Sequence, residues 1–280
     1  AGEFGKNSSG EPGSMYEPGM EVLGKYIFIA EGVRGSLAKN IISNYNLAKN
    51  SDFPKFGIGI KEVWEVEHSK HKEGQVVHTM GWPLGNSTGG GSFLYHGSDN
   101  QVYVGFVVHL NYKNPHLFPY KEFQRFKHHP FIYNLLKGGK RIEYGARAIS
   151  EGGIQSIPKL SFPGGVLIGC SAGFVNVPRI KGNHNAILSG IAAAESANLA
   201  LSNGRSNDSL EEYEKKIVNG YVFKDLNPVK NVKPLWSRFG LFLGIGLGAI
   251  DMWCANIIGK NLFGTLKHKY PDHSSLELAS

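Results

Sequence analysis

Two strand–glycine–helix patterns bracket the middle of this chain, and the residues between them follow a different pattern of short alternating strands. In the first pattern, Glu21 to Glu31 (EVLGKYIFIAE), the residues Tyr26, Ile27, Phe28 and Ile29 make a short apolar run. Aromatic and β-branched runs of this length read as strands. The run ends at Ala30-Glu31-Gly32, and Gly35 to Asn44 reads as a helix start. The second pattern is Gly164–Glu195, GGVLIGCSAGFVNVPRIKGNHNAILSGIAAAE, about 135 residues further on. Here a strand runs to Gly169-Cys170, a loop follows, and a helix opens near Gly182-Asn183. That helix predicts one face of Ala186, Ile187, Gly190, Ile191, Ala194, Ala197 and Leu201, with Asn203-Gly204 as its stop.

Phe56 to Leu110 reads as strands: GIGIKEVWEVE, QVVHTMGW, GGSFLYH and QVYVGFVVHL. Val102, Val104, Phe106 and Val108 alternate as a half-buried strand requires. Pro119 to Leu136 has Phe123, Phe126, Phe131 and Leu135 at helical spacing, with Pro130 expected to break it. Ser209-Leu-Glu-Glu212 reads as a capping box that starts a helix through Val218. The polar stretch Ala1 to Met20 reads as an exposed loop or a cut end. It lacks the layout of a secretory signal and the arginine-rich character of a transit peptide.

Composition narrows the chemistry. The chain carries 37 glycines among 280 residues, well above the usual share of roughly 7%. A large cofactor lying against backbone explains this, and so does a loop-rich architecture. The formal charge of +7 is scattered through Lys121–Lys140 and Lys215–Lys233 with no nucleic-acid motif. It suits an anionic membrane or an acidic protein partner better than nucleic acid. Two cysteines, Cys170 and Cys254, make neither a disulfide framework nor a four-cysteine cluster site, and a reducing compartment is expected.

Each bracketing pattern has two readings. Glu31 at a strand end beside a glycine can reach ribose hydroxyls or phosphate-bound water, or it is a solvated turn acid. The helix start at Gly182-Asn183 offers N–H groups and a dipole worth about half a positive charge to an anion, or it belongs to an ordinary strand–loop–helix crossover. The histidine pairs His128-His129 and His68/His71 read as solvated, since no cysteine or carboxylate completes a metal site. Gly244-Ile-Gly-Leu-Gly248 lacks the GxGxxG spacing of a dinucleotide loop. Phe239 to Phe263 is long enough to span a bilayer, but Asp251, Asn256 and Lys260 argue against an easy span. An apolar face lying in the membrane interface fits it, and so does a buried core helix.

Taken together, the two bracketing patterns resemble flavoproteins in which a substrate domain interrupts the FAD domain. Longer runs make the resemblance specific: GARAISEGGIQSIPKLSFPGGVLIGCSAGFVNVPRIKGNHNAILSGIAAAES, HTMGWPL with GGGSFLYH, YKEFQRFKHHPFI with GGKRIEYGARA, and TLKHKYPD. From about Tyr26 to Tyr270 the chain is similar to the electron-transfer-flavoprotein:ubiquinone oxidoreductase family, in its central portion.

The resemblance implies a mixed α/β and α+β fold: part of a two-motif FAD-binding domain, interrupted by an antiparallel β-rich quinone-binding domain, plus an interfacial membrane helix. The implied division is 1–38 for the first FAD-domain portion, 39–155 for the quinone domain, 156–205 for the FAD-domain return, and 206–280 for the helical, membrane-contacting segment. Glu31, Gly32 and Gly35 fall in the second FAD motif, and Gly169, Cys170 and Gly173 in the last. Cys170 stands where other flavoproteins often have aspartate, so that carboxylate contact is not available. Gly182, Asn183, His184 and Asn185 would lie by the flavin ring. The backbone at Gly90 and Gly91 would approach a quinone carbonyl. Phe239, Leu241, Phe242, Ile245 and Trp253 would touch lipid without crossing it.

The implied activity is electron transfer from reduced electron-transfer flavoprotein through FAD to ubiquinone, with a four-iron, four-sulfur cluster in the full family protein. No acid–base residue is demanded, because the cofactor carries the chemistry. The implied location is the matrix face of the mitochondrial inner membrane or the cytoplasmic face of a bacterial membrane. No GxGxxG stands near the amino terminus, so the first FAD strand is expected to be missing, as is the cluster domain. Such a piece alone is expected to be inactive. The competing expectations are a related FAD-dependent lipid hydroxylase or reductase, and a membrane-binding remnant.

Overall fold

A computed structural model describes residues 2–279. In chain order the strands are β1 (Phe4–Lys6), β2 (Pro12–Glu17), β3 (Ile27–Ile29), β4 (Phe56–Glu65), β5 (Val76–Thr79), β6 (Gly90–His96), β7 (Gln101–His109), β8 (Lys140–Ser150), β9 (Ser161–Phe162) and β10 (Gly165–Leu167). The helices are α1 (Ser36–Asn44), α2 (Pro119–Lys127), α3 (Pro130–Leu136), α4 (Asn183–Ser202), α5 (Glu211–Asn219), α6 (Tyr221–Leu226) and α7 (Val232–Ile257).

Two cores form. In the first, β3 and β10 pair in parallel, with Ile27 opposite Gly165 and Ile29 opposite Leu167, and β9 completes a three-stranded sheet. Strands 138 residues apart in the sequence thus lie side by side in one layer, and α1, α4, α5 and α6 cover it. In the second core a five-stranded antiparallel sheet runs in the order β5-β6-β7-β4-β8. Val102, Val104, Phe106 and Val108 of β7 are all buried, and Phe123, Phe126, Ile132 and Leu136 of α2 and α3 pack onto them. Alternation therefore placed the core face of β7 correctly.

Several local expectations are corrected. In the amino-terminal stretch expected to be a loop, Phe4–Lys6 and Pro12–Glu17 pair as the exposed β1–β2 hairpin. Strand β8 gave no sequence signal because neither of its faces is buried: residues 140–147 are all exposed on the sheet edge. Pro130 does end α2, but the break rotates the register of α3. Ile132 and Leu136 therefore point inward, and Phe131 is exposed. The helix after Ser209 forms without its capping box: Leu210 is the N-cap with no side-chain bond, and the Glu212 carboxylate accepts from Arg205 instead. On α4 the buried residues are Asn185, Ser189, Ala193, Ser196, Ala197 and Ala200, while Ile187 and Ile191 are exposed. Small and hydroxyl side chains let the helix approach the sheet closely. The Ser189 hydroxyl accepts from the Gly169 N–H at 3.0 Å.

Helix α7 starts before the apolar run and breaks at Gly240, whose φ is 74°. A Cβ there would lie 2.8 Å from the Asn86 carbonyl. The Asn86 side chain accepts from the Leu241 N–H at 2.9 Å, which fixes the break. Asp251, expected to oppose membrane insertion, does not face outward. It is buried, and its carboxylate accepts from the Asn231 and Asn261 side chains and from the Phe263 N–H, at 2.7–3.0 Å. The outer face of α7 past the break therefore carries no acid: Phe242, Leu243, Ile250, Trp253 and Ile257 are exposed there.

A buried charged seam joins the sheet to α7. Lys233 and Glu151 pair at 2.6 Å, each 3% exposed, with His109 Nε2 at 3.5 Å from the same carboxylate. Lys55 pairs with Asp272 at 3.0 Å. Burial, reinforced by Lys233, holds His109 well below its ordinary pKa, and burial also lowers His96 and His268. All three bind protons less readily in the fold than in the unfolded chain, which charges as the pH falls below about 6.5. Stability is then present above that pH and lost as it falls, at most about 1.4 kcal/mol per pH unit for each histidine. Urea midpoints are expected to drop from pH 7 to pH 5, with a flatter profile in His109→Gln.

Candidate functional site

The carboxyl ends of β3 and β10 lie together, and the turns that follow them face each other. Crevices at this end of parallel strands are where open α/β sheets bind ligands. After β3, Gly32 (φ 79°) turns the chain into α1. Glu31 is no free turn acid here: its carboxylate accepts from the Ala38 N–H at 2.7 Å, capping α1. Gly35 is glycine because a Cβ would fall 2.4 Å from that carboxylate. After β10, Gly169–Ser171 forms a 310 turn. Gly169 has φ 57°, and a Cβ on it would meet the Ala186 Cβ at 3.2 Å; Gly173 has φ 88°. The two turns are tied directly, since the Ser171 hydroxyl donates to the Gly32 carbonyl at 3.1 Å.

Helix α4 starts at this crevice. Among the described residues, the backbone N–H groups of Asn183, His184 and Asn185 meet no acceptor. Gly182 as N-cap makes no side-chain bond. The Asn185 Oδ1 is buried without a partner. Burial pushes the Cys170 thiol up, so it stays protonated at neutral pH.

Asp225, which no local motif marks, organises this helix start. Its carboxylate accepts from Arg179 at 2.7 Å, Asn176 at 3.1 Å, His184 at 3.0 Å and Asn185 at 3.0 Å. Burial alone would raise its pKa, but these donors and the Arg179 charge outweigh it and hold the carboxyl below the ordinary range. The His184 ring and the Asn185 amide nitrogen are thus occupied structurally, and the free donors at this helix start are backbone N–H groups.

The five-stranded sheet reaches the same place. Along β6, Gly91, Phe93 and Tyr95 share the partly open face, while Gly90, Ser92 and Leu94 point to the core. Lys181, just before α4, sits 4.9 Å over the Tyr95 ring and donates to its hydroxyl at 3.2 Å. Phe93 and Tyr95 stack at 4.5 Å. A cavity of about 610 Å³ opens beside them, lined by Arg179, Lys181, His184, Ile187, Leu188 and Tyr221. Of the two glycines expected at the quinone, Gly91 lies on this face and Gly90 does not. A Cβ on Gly90 would strike the Val107 carbonyl at 2.3 Å and Leu84 Cδ1 at 2.4 Å. Lys181, Tyr95 and Asp225 were missed because they become neighbours only through the pairing of distant strands.

Known proteins match this chain along its whole length. Residues 56–149 match the family model described as "ETF-QO, ubiquinone-binding". The whole chain is 46% identical over 281 residues to the electron transfer flavoprotein-ubiquinone oxidoreductase of Pseudomonas aeruginosa, covering 50% of that protein. It is 46% identical over 285 residues to the mitochondrial one of Mus musculus, covering 46% of it. These matches support a central portion of an electron transfer flavoprotein-ubiquinone oxidoreductase. It spans about half the length of these curated relatives. At the level of fold, the chain is similar to a geranylgeranyl bacteriochlorophyll reductase-like protein of Thermoplasma acidophilum, with TM-score 0.61 and 20% identity over 81% of this chain and 54% of that one. A halogenase solved with FAD superposes with TM-score 0.54 at 15% identity, over 84% of this chain and 48% of that one.

Among the described residues no group of histidines, cysteines and carboxylates is arranged to hold a metal ion.

Proposed function

We infer that this chain supplies one wall of an FAD site and the quinone-facing sheet of an electron transfer flavoprotein-ubiquinone oxidoreductase, which passes electrons from reduced electron-transfer flavoprotein to ubiquinone. The observation that carries the reading is the convergence at one crevice: the turns after β3 and β10, the start of α4, and the Gly91–Phe93–Tyr95 face held to it by Lys181. Bound FAD supplies the redox chemistry, and the protein supplies position and electrostatics. The unpaired N–H groups at Asn183–Asn185 fit such a group. They offer the positive end of the α4 dipole to electron-rich atoms. Gly32, Gly35, Gly169 and Gly173 let backbone come close where any side chain would intrude.

In this reading, residues 1–38 and 156–205 belong to an FAD domain that the quinone domain, 39–155, interrupts. Gly91 admits a flat ring against the backbone, and Phe93 and Tyr95 floor its slot. A four-iron, four-sulfur cluster does not fit this chain, since Cys170 and Cys254 cannot supply four thiolates; in this reading it belongs to other residues of the full-length family protein. The exposed face of α7 rests on the membrane, with Phe239, Phe242 and Trp253 at the lipid. Ile245 is half-covered and Leu241, 6% exposed, is packed inward, so Leu241 is withdrawn from that face. One helical stretch, 221–257, is long and apolar enough to cross a membrane by length and composition. The surface-lying reading rests on the break at Gly240 and on the inward Pro234, Leu235 and Asp251. The reading sets the protein on the matrix face of the mitochondrial inner membrane, or on the cytoplasmic face of a bacterial one.

A short-tailed photoreactive ubiquinone tests the quinone face. Labelling is expected on Phe93 or Tyr95 and should be competed away by unmodified ubiquinone. Labels confined to other strands would refute it.

A further inference from the structure

A second cavity, of about 780 Å³, opens on the far side of the Gly240 break. It lies between the end of β7, the first turns of α7 and the segment 267–277, and the functional reading does not use it. We propose that this cavity holds the phosphate headgroup of an anionic phospholipid, anchoring the protein beside the apolar face of α7.

Three independent features point to that occupant. The first is charge. Lys113, Arg238, Lys267 and Lys269 line the cavity, and its one acid whose charge is not taken up by a buried partner is Glu277. Among the described residues, no carboxylate pairs with Arg238, Lys267 or Lys269, and Glu277 reaches only Lys113, at 3.9 Å. The buried Lys55 adds nothing to this surplus, because Asp272 neutralises it.

The second feature is unmet hydrogen bonding. Trp236 Nε1 and His268 Nδ1 are buried in the wall without partners. His268 is 4% exposed, and its Nε2 donates to the Gly152 carbonyl at 2.7 Å. With burial keeping the ring neutral, Nδ1 is an acceptor. The wall therefore offers one buried donor and one buried acceptor beside the cations Lys113, Arg238, Lys267 and Lys269. A phosphate ester that carries a hydroxyl satisfies all of them, and a bare hydrocarbon satisfies none.

The third feature is continuity. Arg238, Phe239 and Gly240 line the cavity, and the exposed Phe242 and Leu243 follow just past the inward-packed Leu241. A headgroup seated in the cavity would lay its acyl chains along that face.

The membrane reading of α7 requires only apolar burial, so binding to neutral lipid tests that reading, and the increment from anionic lipid tests the headgroup site. Co-sedimentation of the 280-residue chain with phosphatidylcholine vesicles is compared with vesicles containing about 30% phosphatidylglycerol. The anionic lipid is expected to raise partitioning at least about tenfold. The variant Arg238→Ala/Lys267→Ala/Lys269→Ala should lose that increment and keep its binding to neutral vesicles. Lys25→Ala/Lys39→Ala/Lys49→Ala, equal in charge but away from the cavity, should keep the increment. Trp236→Phe, which changes no charge, should lower the increment several-fold. Equal loss in both triple variants would reduce the effect to net charge and overturn the site. So would vesicles that do not discriminate, including the case in which inorganic phosphate alone shifts the tryptophan emission, which would make free phosphate the ligand. Near-UV circular dichroism of each variant must match that of the parent. A variant that fails this is replaced by its charge-neutral glutamine counterpart, read against the same outcomes.

Discussion

Replacing Glu151 with alanine is expected to destabilise the chain by about 3–5 kcal/mol, the range for removing one partner of a buried ion pair. Lys233 is 3% exposed, and its nearest counter-charge is the Glu151 carboxylate at 2.6 Å. Without it the ammonium stays buried opposite His109, and Lys55 adds further positive charge nearby. Glu151 also fills the space over Gly57, where a Cβ would lie 2.3 Å from its Oε1. The truncation therefore leaves a void as well as a charge. Denaturant unfolding followed by circular dichroism measures the loss. Lys233→Met, which removes the ammonium, should restore part of the stability to Glu151→Ala, because the pair then disappears together. If the single variant loses under about 1 kcal/mol, the seam is not a buried pair in solution.

The second large effect separates two adjacent glycines. Gly90→Val is expected to disrupt the five-stranded sheet, at roughly 3 kcal/mol or more, since overpacking of a rigid core costs about 1–3 kcal/mol and here the first obstacle is backbone. Its Cβ would sit 2.3 Å from the Val107 carbonyl, on the strand that pairs with β6. Gly91→Ala meets only the Thr79 carbonyl, at 3.1 Å, and lies on the partly open face. It should fold with near-parental stability while cutting the photolabelling of Phe93 and Tyr95 by ubiquinone. Loss of quinone contact in Gly90→Val therefore reports on folding, and the same loss in a folded Gly91→Ala reports on the pocket. Full labelling in Gly91→Ala would move the quinone off this face.

The pattern of what the residues disclosed follows from where the forces act. Strand β7 was legible because one of its faces is fully buried, which imprints a period of two on Val102, Val104, Phe106 and Val108. Strand β8 was not, because backbone pairing with β4 holds it with little side-chain burial. The start and stop of α4 were legible from Gly182 and Asn203-Gly204. Its buried face was not, since packing against Gly169 and the sheet selects Ser189, Ala193 and Ser196 over Ile187 and Ile191. The alternation that fixes β7 also separates Gly91 from Gly90, a distinction that the glycine run conceals when read as a block. Asp225 at the helix start, Asp251 under α7 and the Glu151–Lys233 pair were hidden for one reason. Each joins residues that only the folded chain brings together, at separations such as 41, 20 and 82 positions.

The central claim is that two distant turns and one helix start make a single flavin-facing wall. Amide hydrogen exchange of the 280-residue chain, with and without saturating FAD, tests it most directly. Protection is expected to appear together at Gly32–Ala38, Gly169–Gly173 and Asn183–Asn185, with the exposed hairpin β1–β2 unchanged. Protection at only one of these segments, or none while FAD slows exchange elsewhere, would contradict the shared wall.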